Sequence, residues 1–264
     1  MLCKNCKHTF EGNYCCNCGE KAVHERFTLK SIVYDQLVLP FVENKKSLPK
    51  TIKELSIRPG SSIRKYIEGN RASLYASDKF LLLIGTITTI LTFRYHFFAS
   101  EFTSTEAAAN HGLLTLLGLL DKKDFLNQFF LYAEQYATLL NIIAIPVFTI
   151  FSYLIFRKKG YGLGENLILN TYITAQQLFY LLVLVPFLEI FPDSKYMLIS
   201  IYSLLIALYN VLVYVQFFKA TTINGIIKSF VIVAFAYVVQ FFLNLAIYSA
   251  FGMYFQVLDN LELL

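Results

Sequence analysis

Cys3-Lys4-Asn5-Cys6 and Cys15-Cys16-Asn17-Cys18-Gly19 stand eight residues apart. Taking Cys3, Cys6, Cys15 and Cys18 gives C-x2-C-x8-C-x2-C. Two such pairs can place four thiolates in a tetrahedron, a donor set that suits Zn2+ in a closed, structural site. Four thiolates leave no open coordination position, so catalytic zinc is not expected. A redox dithiol or disulfide is the competing reading, but no thioredoxin-like pattern surrounds the pairs. Cys16 is spare, because a C-x-C bite suits the turn less well, and His8 and His24 read as surface residues. Residues 9–14 are expected to form a small hairpin with a Gly12-Asn13 turn. Gly19 can take the left-handed backbone that the second turn needs. A unit of about 20 residues cannot bury a useful core, so the metal would supply its folding energy.

All five cysteines fall within residues 3–18. A disulfide framework would be spread through a secreted fold, so this clustering points to a metal in a reducing compartment. The N-terminus, Met-Leu-Cys-Lys-Asn-Cys, has no apolar core and no cleavage site, so the first span is expected to direct insertion.

The rest of the chain must be explained by its apolar content. It has 264 residues, 56% hydrophobic and 16% charged, with mean hydropathy +0.52. Soluble domains carry about a quarter of charged residues, and a bilayer removes the problem of exposed apolar surface. Residues 1–78 hold 13 of the 23 Lys and Arg, while the long apolar runs follow Lys79. The expected architecture is an all-α integral membrane protein of about five transmembrane helices with an N-terminal zinc ribbon. Its segments are the ribbon (1–20), a basic amphipathic cytoplasmic segment (21–78), the polytopic body (79–258) and a short tail (259–264).

Within the basic segment, Leu29, Ile32, Val33 and Leu37 recur at helical spacing and predict a helix over 28–39. A second helix is expected over 48–57, with Arg58-Pro59-Gly60 as a sharp turn. Ser61 or Ser62 would cap a third helix that runs to Glu68 and stops at Gly69. Lys45, Lys46, Lys50, Lys53, Arg58, Arg64, Lys65 and Arg71 would form a collar on anionic headgroups, each charge contributing about 1 kcal/mol. The same residues also fit ordinary positive-inside bias. Nucleic acid is a poorer partner, since the ribbon carries few basic or stacking residues.

Charge-free runs long enough to cross about 30 Å occupy residues 135–156, 166–188, 196–218 and 229–258. An earlier run, 80–99, contains Arg94 and His96; Arg94 would snorkel to the far headgroups. Basic loops at 157–159 and at Lys219 and Lys228 alternate with acidic or neutral ones. That alternation places the N-terminus in the cytoplasm and the C-terminus outside. Residues 112–120 are too short to span and read as interfacial or re-entrant.

Polar residues recur at helical spacing inside three spans: Asn170, Thr174 and Gln177; Ser203, Asn210 and Tyr214; Tyr237, Gln240, Asn244 and Tyr248. Such stripes should face the bundle interior. They would serve interhelical hydrogen bonding or line a cavity for a lipid headgroup or small solute. The four clean runs hold no Asp, Glu, Lys or Arg, which argues against a proton-coupled pump or a charged ion filter. Pro146 and Pro186 are expected to kink their helices.

The chain resembles an uncharacterised bacterial membrane family that pairs a four-cysteine ribbon with a basic segment and a polytopic body. The resemblance rests on Cys3-x2-Cys6, on Phe10-x-Gly12-x-Tyr14-Cys15-x2-Cys18-Gly19 and on Thr51-x3-Leu55-x2-Arg58-Pro59-Gly60. It continues through Arg64-x-Tyr66-Ile67-x-Gly69-x-Arg71. Lys7 departs from it, standing where a small turn residue is usual, as does Asn70, where a basic residue is common. The resemblance implies architecture and an inner-membrane location, not an activity. The expected function is a non-enzymatic adaptor or accessory subunit whose ribbon and collar dock a protein partner at the membrane. The alternative is a transporter or lipid-handling protein that uses the polar interior.

Overall fold

The computed structural model describes residues 1–3, 5–19, 48–71, 74–95, 123–191 and 194–260. The predicted helix 28–39, Lys45, Lys46, His96 and the stretch 112–120 lie outside them. Among the described residues there are seven α-helices and no strand, and an isolated antiparallel bridge joins Leu2 with Thr9. They are α1 (Leu48–Ile57), α2 (Pro59–Ile67), α3 (Ser77–Tyr95), α4 (Lys123–Phe156), α5 (Leu163–Ile190), α6 (Lys195–Phe218) and α7 (Ile223–Asn260).

Four of them are long and apolar enough to cross a membrane, over Thr138–Lys159, Leu163–Ile190, Met197–Phe218 and Ile223–Asn244. Only 17% to 39% of each span is buried against the described chain. The outward faces carry Leu204, Leu205, Leu208 and Leu212 on α6 and Phe230, Val231, Phe241 and Phe242 on α7. Apolar faces of that extent are unusual on soluble monomers and natural in lipid. Helix α7 begins six residues earlier than its charge-free run, at Ile223. The backbone N–H of Gly225 bonds to Thr222 Oγ1 there, and Lys228 sits inside the second turn. Helices α4 and α5 run on through Pro146 and Pro186.

Helix α1 has the predicted bounds. Helix α2 starts earlier than expected, at Pro59 rather than after a serine cap. Proline suits the first helical position, where its missing N–H costs nothing. The serines do other work: Ser61 Oγ donates to Arg58 O, and Ser62 Oγ donates to Glu54 Oε2. Gly69, at φ +114°, follows the end of α2 as expected.

The α1–α2 pair lies against the bundle. Leu55, Ile63, Tyr66, Ile67 and Leu74 share one buried core with Phe80, Tyr172, Val213, Phe217 and Ile232. The core is thus continuous across residue 78, where composition suggests a boundary. Helix α2 crosses α6 at Gly60, where a Cβ would lie 2.3 Å from Val213 O and 2.5 Å from Phe217 N. Tyr209 OH donates to Leu55 O, Gln176 Nε2 and Tyr180 OH donate to Ser56 Oγ, and Tyr172 OH donates to Tyr75 O. An amphipathic helix pair needs an apolar surface to cover its buried stripe, and α5 and α6 provide one.

Candidate functional site

The cysteine site is built by two matching turns. Lys7 N–H bonds to Cys3 O at 3.0 Å, and Gly19 N–H bonds to Cys15 O at 2.8 Å. Each donor lies four residues beyond its cysteine and has positive φ, +62° at Lys7 and +72° at Gly19. The antiparallel pairing differs from the expected 9–14 hairpin. Residues 1–3 pair with 8–10 through Cys3 N–H to His8 O and Phe10 N–H to Met1 O, both 2.9 Å. The first cysteine turn closes that pairing, while Gly12-Asn13 is a bend outside it.

The turns bring Cys3, Cys6, Cys15 and Cys18 together, every sulfur within 4.8 Å of the others. The Cys3–Cys18 and Cys6–Cys15 Sγ separations are 3.5 Å. A tetrahedron of thiolates about 2.3 Å from one ion has edges of about 3.8 Å, so the cluster fits a single four-coordinate ion. Phe10, Cys3 and Cys15 are buried and form the unit's small core. Cys16 is exposed and stands apart from the four. A backbone hydrogen bond from His8 brings the Cys6 thiol down to about 6, and the neighbouring thiols add to the effect. Cys6 therefore favours the thiolate, the form that binds metal.

The left-handed Lys7 is a local defect, since a β-carbon disfavours that backbone by about 1–2 kcal/mol. Replacing Lys7 by glycine is expected to strengthen metal retention by roughly fivefold, about 1 kcal/mol, in a chelator competition. Unchanged retention would show that the turn does not hold positive φ.

The described members of the basic collar differ in exposure. Lys50, Lys53, Arg58 and Lys65 are exposed. Arg64 was expected at the headgroups, but its Nη1 donates to Gln216 O at 2.7 Å and Phe217 O at 3.1 Å. The last carbonyls of a helix lack intrahelical partners and carry partial negative charge, so the guanidinium caps α6. Arg71 is half-buried.

The interior stripes are met in part. Asn170, Thr174, Asn210 and Tyr214 are buried. Tyr214 OH donates to Asn170 Oδ1 at 2.6 Å, and Gln177 Nε2 donates to Asn210 Oδ1 at 2.8 Å. Ser203 is a correction: it is exposed, and its hydroxyl bonds to Ile199 O of its own helix. A serine can satisfy itself on the preceding turn and so needs no interior place. Gln240 and Asn244 are half-buried, joined by Asn244 Nδ2 to Gln240 O. The side chain of Tyr248 lies outside the described residues.

Two members of the network escaped the sequence reading. Ser152 Oγ of α4 donates to Asn166 Oδ1 at 3.0 Å and accepts from Asn170 Nδ2 at 3.1 Å. Asn166 looked like the edge of a span. Yet Asn166, Asn170, Thr174 and Gln177 continue one helical stripe, the signal that marks it. Removing the Tyr214 hydroxyl with phenylalanine is expected to cost about 1–2 kcal/mol. Thermal unfolding in detergent measures this, and no shift would mean that the bond contributes nothing.

Together these features define a helical chain with four apolar, membrane-length helices and four cysteines gathered at metal-binding distance. Compared with family models, curated proteins and solved structures, the chain finds no match.

Proposed function

We propose that the chain is a non-enzymatic membrane adaptor whose ribbon presents a docking surface to a protein partner. The observation that carries this reading is the closed set of four thiolates, which suits a rigid structural site. The ion is taken to be Zn2+ on the chemistry of four cysteine thiolates. Helix α3 serves as a fifth, first span: it is 19 residues long, with Asp78 and Lys79 near its start and Arg94 near its end. On loop charge the N-terminus is cytoplasmic and the C-terminus outside, in a bacterial inner membrane.

The test is stoichiometric co-purification from cells in mild detergent. A protein retained by the full chain and lost with the Cys3→Ser/Cys6→Ser variant supports docking by the ribbon. Equal recovery with both chains sinks it. Transport through the interior is less favoured, because Asn170, Tyr214, Gln177 and Asn210 hydrogen-bond one another. Solute or lipid movement in reconstituted vesicles, abolished by Asn210→Leu or Gln240→Leu, would reverse that preference.

A further inference from the structure

We propose that the ends of α2, α4 and α6 form a cationic seat for one anionic phospholipid headgroup. The inference rests on the membrane-spanning reading of the four apolar helices and is independent of what the ribbon docks.

Folding gathers three distant stretches here. Helix α4 ends at Phe156, whose ring stacks on Phe218 at 4.1 Å, beside the end of α6. Tyr161 packs on Phe217 at 4.7 Å. The turn between α4 and α5 carries Arg157, Lys158 and Lys159, all exposed. Lys159 Nζ lies 3.5 Å from Lys219 O, just beyond α6. Arg64 reaches the same helix end from α2 and satisfies its carbonyls, leaving the neighbouring Lys65 exposed. The nearby carboxylate of Glu165 is buried, and its Oε2 accepts the Gly162 N–H. Glu68, three residues beyond Lys65, is exposed on the α2 side.

The polarity of the place limits its occupant. The spans Thr138–Lys159 and Met197–Phe218 both finish at this cluster, so the cations stand where an apolar surface gives way to charge. A phospholipid matches both halves, with acyl chains along the exposed apolar faces and a phosphate among the lysines. Basic pockets between spans bind anionic headgroups in this way. Lys219 supplies a second observation. It caps α6 in the left-handed region at φ +49°, a place that glycine fills without penalty. A lysine there keeps an exposed cation at the helix end at a conformational cost.

The full chain, reconstituted in phosphatidylcholine with a minority of phosphatidylglycerol and extracted in mild detergent, should retain phosphatidylglycerol above its share of the bilayer. Lys159→Gln with Lys219→Gly should reduce the affinity behind that enrichment by about fivefold for each charge removed, since each surface charge contributes about 1 kcal/mol. Lys219→Gly relieves the left-handed cap, so the unfolding midpoint should not fall. If the pair nevertheless fails to fold, Arg157→Gln with Lys158→Gln, both exposed, is read in the same way. No enrichment in the unaltered chain, or enrichment unchanged in the folded variant, overturns the seat. Equal loss with Lys50→Gln/Lys53→Gln also overturns it, pointing to diffuse attraction by α1. Partner recovery measured on the same samples separates this outcome from the adaptor reading: a variant that keeps its partner and loses lipid supports the seat alone.

Discussion

Valine in place of Gly60 is expected to unseat α2 from α6 and cost about 3 kcal/mol or more. The obstruction is backbone: the first added carbon would stand 2.3 Å from Val213 O and 2.5 Å from Phe217 N. No side-chain rotation relieves such contacts, so the helices must part. Parting them also strains the Tyr209–Leu55 bond and the Arg64 cap. For a chain of this size the thermal midpoint should fall by roughly 6–12 °C. Alanine at Gly85 is the control, since its nearest neighbour, Thr138 Cγ2, is at an ordinary 3.5 Å. A midpoint unchanged by Gly60→Val would mean that α2 does not rest on α6.

The second large effect lies in the ribbon. Stripping its metal, or replacing Cys18 by serine, should unfold residues 1–19 while leaving the bundle's midpoint in place. Structural zinc contributes about 10–16 kcal/mol in small domains at neutral pH, far more than a core of Phe10, Cys3 and Cys15 can supply. Amide exchange resolved along the chain would show the loss, and metal content would fall from one ion per chain to none. Cys16→Ser should alter neither. Persistent protection of residues 1–19 without metal would defeat the prediction. The pH dependence has a definite sign. The Cys6 thiol, lowered to about 6 chiefly by the His8 backbone hydrogen bond, is ionised above that pH. Protons compete with the ion for the same sulfurs, so acidification weakens binding. Metal release and ribbon unfolding should therefore appear on acidification, and raising the pH should restore both.

Different kinds of information were legible to different degrees. The cysteine cluster is local: four cysteines at fixed spacing identify themselves, and so did the spare Cys16. The spans are a matter of composition, and their positions follow from runs free of charge. Helix starts are less visible, because a cap can precede the last charge, as Thr222 precedes Lys228. Most obscure was the placement of α1 and α2. Their amphipathic pattern announces a buried stripe without naming what covers it, and a bilayer surface and a pair of spanning helices satisfy it equally. Gly60 was read as a turn residue, although its role is a close helix crossing. Arg64 looked like one more surface charge, because nothing local reveals that α6 ends beside it. Asn166 and Ser152 were hidden for the same reason: a hydrogen-bond partner 14 residues away is set by how two helices meet.

The contact between Arg64 and Gln216 spans 152 residues of chain. A ribosome adds about 5–20 residues per second, so α2 emerges roughly 8 to 30 seconds before the helix end that it caps. Throughout that interval Leu55, Ile63 and Ile67 have no α6 to cover them. Assembly of this protein therefore includes a waiting period, in which the early helix pair exists before the surface on which it docks. Variants such as Gly60→Val would then betray themselves during biogenesis, as chains cleared by proteolysis before they mature.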